Sequence, residues 1–241
     1  MGVKRLGNPD VRLRPTLAAA KSGPGVPYDN ACMASQERMT VQTPAQDWQQ
    51  DIRQGVDPFT SPSFSLGNRL RRVAWGVVCT LLFRPSPRPL RGWRTFLLRC
   101  FGAKIGRGSL VYSDLKVWAP WNLELGEYTW IGEGVTCYSM APIRLGDRAV
   151  VSQGSHLCTG THDYTDPNFQ LMAFPITIGA RAWLCADTFV APGVTIGEGA
   201  VIGARSVVTK DMPAWMVCAG NPCRPLKPRQ MKENASTSAP G

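Results

Sequence analysis

The chain has 241 residues, 44% of them hydrophobic, enough for one large domain or two small ones with a substantial core. Its 24 glycines and 20 prolines indicate many tight turns in a folded chain and fall short of a collagen or low-complexity composition. The formal charge of +10 is local: residues 67–108 hold ten Lys or Arg and no Asp or Glu, so the remainder balances and a uniformly basic nucleic-acid binder is not indicated.

Residues 1–66 are rich in Pro, Ser, Gly and Gln without sustained periodicity, and they are expected to form a disordered or loosely packed extension. Met39 is followed by sequence of the same character, which suggests Met1–Arg38 as an over-extended start. The first twenty residues lack the apolar core of a secretory signal. The eight cysteines show no CxxC pair, and free thiols in a reducing cytosol are expected.

Residues 67–103 are expected to be a basic helical segment. From Asn68, NRLRRVAWGVVCTLLF reads as one helix, PSPRPL at Pro85–Leu90 stops it, and RGWRTFLLRCFG forms a second. The longest apolar run, Val73–Phe83, has 11 residues against the roughly 20 that span a bilayer. Packing on the end of the next domain is the plainer role. Peripheral contact of the basic region 69–107 with an anionic membrane is the other.

At Lys104 the pattern changes. Hexads starting at Ile105, Leu125, Ile131, Cys137, Leu145, Val151, Leu157, Ile178, Leu184, Val190, Ile196, Ile202 and Val208 place Ile, Leu or Val first in twelve of thirteen, Cys137 being the exception. The fifth position is Ser, Thr, Ala or Val in twelve, Met212 being the exception. A helix at 3.6 residues per turn would smear such a stripe around its axis, and a β-sandwich has no need of a fixed six-residue phase. Six-residue sides with small corners describe a parallel β-helix, so 104–213 is expected to be all-β, in about five coils. Coil starts at Ile105, Leu125, Leu145, Ile178 and Ile196, with a close near Pro213, give lengths of 20, 20, 33, 18 and 18. The third coil is thus 18 residues plus a 15-residue loop, 163–177, inserted directly after His162. Residues 214–227 close the domain, and 228–241 are expected to be a disordered tail.

The chain has two histidines. Each precedes an inward slot or its equivalent one hexad later, so both are expected to point outward, on successive sides of the prism, and to diverge. Gamma-class carbonic anhydrases, metal enzymes built on such coils, need three histidines, so no metal is expected. Imidazole titrates near pH ~6.5 and can take a proton from an attacking hydroxyl at neutral pH. His162, beside DYTDPNFQLMAFP with its acceptors, aromatics and two prolines, is the candidate base; an ordinary surface histidine at a loop mouth is the alternative. His156 is read as a surface or interface residue. Cys158 occupies a slot filled elsewhere by Gly, Ser or Ala and is read as a small residue that fits rather than a nucleophile.

The segments LLFRPSPRPLRGWR, FGAKIG, WAPWNLELGEY, VSQGSHLCTGTHDYTDP, PITIGARAWL, APGVTIGEGAVIGARSVVTKDMP and AGNPCRPLK, within Asn68–Lys227, resemble the hexapeptide-repeat acyltransferases, most of all the colanic acid biosynthesis acetyltransferases. The resemblance implies a left-handed β-helix, against the right-handed rule for parallel crossovers. It implies transfer of an acetyl group from acetyl-CoA to a sugar hydroxyl by direct attack, in a groove between subunits of a cytoplasmic homotrimer, with no nucleic acid as partner. The family's catalytic histidine corresponds to His162, and a backbone N–H would stabilise the oxyanion. CoA-contacting positions of the related sugar acetyltransferases match Ala186, Ala204, Thr209, Lys210, Arg224 and Lys227. Ala186 and Ala204 are 18 residues apart, one coil, so their backbones should stack and leave a track for a pantetheine arm. The three cations would face nucleotide phosphates or be solvated surface charges.

There is one departure. Where galactoside and maltose acetyltransferases place a sugar-binding Asn and Asp before the loop, this chain reads VTCYSMAPIRLGD, with no Asn. The acceptor expected is therefore a lipid- or nucleotide-linked saccharide of a surface polysaccharide rather than those simple sugars. N-acetyl transfer to an amino sugar or aminated xenobiotic is the nearest alternative, and a non-catalytic β-helix scaffold or binding module is the alternative of another class.

Overall fold

The structure is a computed structural model and describes Gln49 and residues 51–232. The expected extension up to residue 48 and the tail from residue 233 lie outside these described residues.

The Ser65 hydroxyl accepts the Asn68 N–H and starts helix α1 (Leu66–Val78), which continues through a π-helical turn at Cys79–Phe83. Pro85 has no N–H to extend it. Helix α2 follows at Arg91–Cys100.

Of the nineteen short strands among the described residues, numbered along the chain, seventeen then form the three faces of a prism. The first face holds β1 (Lys104–Ile105), β4 (Leu123–Leu125), β7 (Ile143–Leu145), β12 (Ile176–Ile178) and β15 (Thr195–Ile196) in parallel. The second holds β2 (Leu110–Val111), β5 (Trp130–Ile131), β8 (Val150–Val151), β13 (Trp183–Leu184), β16 (Val201–Ile202) and β18 (Met216–Gly220), with β19 (Cys223–Pro228) antiparallel at its edge. The third holds β3 (Lys116–Val117), β6 (Thr136–Tyr138), β9 (His156–Cys158), β14 (Phe189–Val190) and β17 (Val207–Val208). A hairpin of β10 (Gly160–His162) and β11 (Leu171–Ala173) projects from the third coil.

The hexad phase sets the register. Ile105, Leu125, Leu145, Ile178 and Ile196 pair in one column, and a bridge from Ile196 to Met212 begins a partial sixth coil. The first-position side chains fill the axis, where Ile131, Leu157, Ile178, Leu184, Ile196 and Ile202 are fully buried. Small residues at the fifth position have a physical cause. The corner is closed on the main chain by hydroxyls: Thr129 Oγ1 donates to Gly146 O, Thr188 Oγ1 to Cys185 O and Ser206 Oγ to Gly203 O. At the corner after the first face successive coils nearly touch, and a Cβ on Gly146 would lie 2.6 Å from Ala180 N. Only glycine fits such an approach.

The helices close the first coil from above. Its three strands lack a preceding coil, and one side chain from the helical segment donates to each: Arg99 to Ile105 O at 2.7 Å, Arg94 to Val111 O at 2.9 Å, and Trp75 Nε1 to Val117 O at 2.9 Å. Trp75, Phe83, Leu97 and Leu98 extend the axial core into the helices.

Three expectations are corrected. Residues 51–65 are packed, not loose: Ile52 is buried, bridges Phe64 and joins Met140, Ala141, Leu171 and Ala173 in a second apolar cluster, while Asp51 accepts from Ser65 and Asn68. The expected tail begins tied down, since Arg229 donates to Arg181 O and Gly199 O. The inserted loop leaves the coil before His162. The Thr159 hydroxyl bonds Tyr138 O and Ala141 N and holds the corner, Gly160 starts the hairpin, and Ile176 is already back in register with Ile143. Thr161 fits the small fifth slot by residue type, yet it lies in a hairpin strand.

Candidate active site

His162 ends β10, opposite Leu171 in the hairpin. Its direction is therefore set by the hairpin and not by the coil phase. The hairpin tip is built from its own polar groups. The Asp163 carboxylate accepts from Thr165 N and Oγ1, and Asp166 accepts from Asn168 N and, through its carbonyl, from Phe169 N. The two hydrogen bonds to Thr165 hold the Asp163 carboxyl below its ordinary value. These turns leave Phe169 at φ +48°, and in that conformation it meets His162 twice. Its ring stacks on the imidazole with centroids 4.3 Å apart and planes 10° apart, and its carbonyl lies 2.9 Å from Nδ1. A carbonyl only accepts, so Nδ1 carries the hydrogen and Nε2 presents a lone pair. In the neutral ring, Nε2 is thus the nitrogen that can act as a general base.

The hairpin is fixed on both sides. Gly160 lies against Met140 and Tyr138, where a Cβ would come 2.6 Å from the Met140 sulfur. The Gln170 side chain accepts from Gly55 N and donates to Val56 O. Neither Phe169 nor segment 51–65 was a candidate from the sequence. A main-chain carbonyl leaves no trace in residue type, and no local signal announces a contact 114 residues away.

The two imidazoles have different surroundings. His156 lies on the third face between Thr136 and Phe189, edge-on to the Phe189 ring at 5.6 Å, with Nε2 buried and unpartnered among the described residues. Burial and, secondarily, the Lys116 charge lower its pKa from the usual value. The neutral form is thus favoured in the fold relative to an unfolded chain titrating near ~6.5. The stability this confers is complete above that pH and is lost as pH falls through the folded-state value. Denaturant midpoints measured between neutral pH and pH ~5 should fall less for His156→Gln than for the parent; equal falls would show that His156 contributes nothing. Cys158 donates weakly to Gly160 O, and burial raises its pKa. A thiol so placed is a poor nucleophile.

The remaining candidates fall on two edges of the third face. Ala186 and Ala204 occupy one corner on successive coils, joined by Arg205 N donating to Ala186 O at 2.9 Å. Arg224 reaches that corner from β19, opposite Ala219, which packs on Gly203. Lys227 is further along β19, opposite Val217. Thr209 and Lys210 follow β17 at the next corner, the edge that carries the His162 hairpin two coils earlier. Among the described residues Lys210, Arg224 and Lys227 are exposed and none pairs with a carboxylate. Asn122 sits near the hairpin base but donates to Ser139 O and Met140 O, a structural use. No group of three His, Cys, Asp or Glu among the described residues is placed to hold a metal.

Known proteins are similar to this chain in sequence and in fold. Residues 175–210 match the family described as bacterial transferase hexapeptide (six repeats). The chain is 46% identical over 177 residues to the provisionally assigned colanic acid biosynthesis acetyltransferase WcaF of Escherichia coli K12, covering 73% of this chain and 97% of that one. It is 32% identical to the galactoside O-acetyltransferase of the same organism, over 56% of this chain and 68% of the other. Among solved structures, galactoside acetyltransferase in complex with coenzyme A superposes with a TM-score of 0.63 at 26% identity, over 69% of this chain and 84% of that one. A hexapeptide-repeat acetyltransferase of Vibrio cholerae complexed with acetyl coenzyme A does so with the same score and identity, over 69% and 91%. The fold is thereby the left-handed parallel β-helix of such enzymes. The chain belongs to the hexapeptide-repeat acetyltransferases, in the group of the colanic acid biosynthesis acetyltransferases.

Proposed function

We propose that the protein transfers an acetyl group from acetyl-CoA to a hydroxyl of a saccharide in the biosynthesis of a surface polysaccharide of the colanic acid type. The observation that carries this reading is the Nδ1–H bond from His162 to the Phe169 carbonyl, which leaves Nε2 free to accept a proton. In the reaction the acceptor hydroxyl attacks the thioester carbonyl while Nε2 takes its proton. A main-chain N–H stabilises the resulting oxyanion. Collapse breaks the C–S bond, and the imidazolium returns its proton to the departing thiolate. No acyl-enzyme is needed.

The small corner at Ala186 and Ala204 suits a pantetheine arm bonded to main chain, and Thr209, Lys210, Arg224 and Lys227 supply donors for the nucleotide end. Because these residues and His162 divide between two edges of one face, the complete site is a groove between subunits, and the working form is a homotrimer. The acceptor is lipid- or nucleotide-linked, and the enzyme works in the cytoplasm, where its donor is held. Incubation of the purified protein with acetyl-CoA and a panel of glycans, followed by thiol assay for released CoA and mass analysis of products, tests the reading. An ester on a glycan hydroxyl is expected. An amide on an amino sugar would convert the assignment to N-acetyl transfer, and no CoA release with any acceptor would favour a scaffold.

A further inference from the structure

Helix α1 is apolar on both sides. Trp75 and Phe83, with half-buried Val78 and Cys79, seat its inner side on the first coil, buried Asn68 donates to Asp51, and Arg71 and Arg72 stack on Trp121 and Trp118 at 3.9 and 4.3 Å. The outer side carries Leu66, Leu70, Val73, Val77 and Leu81, each more than half exposed. Spacings of 4, 3, 4 and 4 align them in a stripe about 22 Å long. A helix covered on one side by protein and on the other by water carries polar residues along the middle of its outer side; here that line is aliphatic at five positions, with exposed Arg69, Thr80 and Arg84 beside it.

A second exposed apolar group lies where the helical segment ends and on α2. Exposed Leu82 gives its carbonyl to Trp93 Nε1 at 3.1 Å, Trp93 stacks with Phe96 at 5.7 Å, and Leu90, Trp93 and Phe96 are all exposed. Single exposed hydrophobics are ordinary, but five aligned along one side of a helix, with four more exposed close by in sequence, mark a contact surface. The charge around it is one-sided. Arg88, Lys104 and Arg107 pair with Glu133, Glu124 and Glu127 of the coil, whereas Arg69, Arg84 and Arg91 are exposed without a carboxylate partner among the described residues.

We propose that this face rests on an anionic phospholipid bilayer, with α1 lying in the plane of the interface. The Leu and Val stripe enters the acyl boundary, Trp93 sits at headgroup level, and Arg69, Arg84 and Arg91 meet lipid phosphates. A second copy is a poorer occupant, because apposing two such patches would bring six unpaired arginines together. No helix among the described residues is long and apolar enough to cross a membrane, so the contact is on the surface.

The test is flotation of the full chain with vesicles of phosphatidylethanolamine and phosphatidylglycerol against vesicles of phosphatidylcholine. The protein should float with the anionic vesicles, at least about tenfold more weakly with the neutral ones, and less in high salt. The triple variant Leu70→Gln, Val77→Gln, Leu81→Gln should weaken binding by roughly 100-fold, and so should Arg69→Gln, Arg84→Gln, Arg91→Gln. All six side chains face outward, so circular dichroism and CoA release with a soluble acceptor should be unchanged. Failure to float, equal binding to both vesicles, or undiminished binding of the apolar variant would overturn the proposal. So would dissociation by that variant of an oligomer formed by the parent, since the patch would then be a subunit interface. Flotation is read without any acyl transfer, so its failure and the failure of the enzymatic reading are separate results.

Discussion

His162→Ala should lower the turnover number by roughly 100- to 10,000-fold while leaving the thermal unfolding midpoint in place, the span expected when a general base is removed. The Phe169 carbonyl and ring hold the imidazole so that, in the neutral ring, Nε2 is the nitrogen left to accept a proton. It is also a hairpin residue outside the axial core, so its removal leaves the coil intact. His156→Ala should change turnover little, as that ring packs on Phe189 and has no part in the hairpin. Initial rates of CoA release for the two variants separate the roles. Unchanged turnover in His162→Ala would remove the assignment, and an equal loss in both would point to a general disturbance of the fold.

Arg94→Met should destabilise the protein by about 4 kcal/mol in denaturant titration. Arg94 is buried, and its guanidinium donates to Val111 O at 2.9 Å, Pro87 O at 3.0 Å and Arg88 O at 3.2 Å, with Ser86 also in reach. Desolvation lowers its pKa, a sign of how closely the site encloses it. Methionine fills much of the volume but donates nothing, and each buried carbonyl left without a partner costs about 1–3 kcal/mol, reduced where water can enter. Arg69→Met, on the solvent side of α1, should cost under about 0.5 kcal/mol and serves as the control. Similar midpoints for the two variants would mean that the edge of the first coil does not depend on Arg94.

The prism was legible in the sequence because its cause repeats: each coil needs branched aliphatics on the axis and small residues at corners where hydroxyls close on the main chain. The hairpin exit was not, because Thr161 satisfies the same slot without occupying a corner, and the actual corner is held by Thr159, whose hydroxyl bonds are long-range. His162 could be singled out from the sequence and the family resemblance, but its proton position could not, since that depends on one carbonyl seven residues away. The basic stretch shows the same limit. Composition presents ten equivalent cations, whereas the fold uses Arg94 and Arg99 as hydrogen-bond donors to a bare sheet edge, stacks Arg71 and Arg72 on tryptophans, and leaves Arg69, Arg84 and Arg91 outward. Segment 51–65 reads as loose because its few apolar residues have no periodicity, yet Ile52 and Phe64 are enough to anchor it beneath the hairpin.

A stack of parallel coils is open at both ends, and an open end invites another stack to continue it. Here the first coil ends under side chains from α1 and α2 that occupy its carbonyls. The second face ends in β19, whose Pro225 and Pro228 cannot donate and whose Arg224 and Lys227 repel a like edge. Edge-to-edge continuation of the stack is thereby disfavoured at the first coil and at the second face.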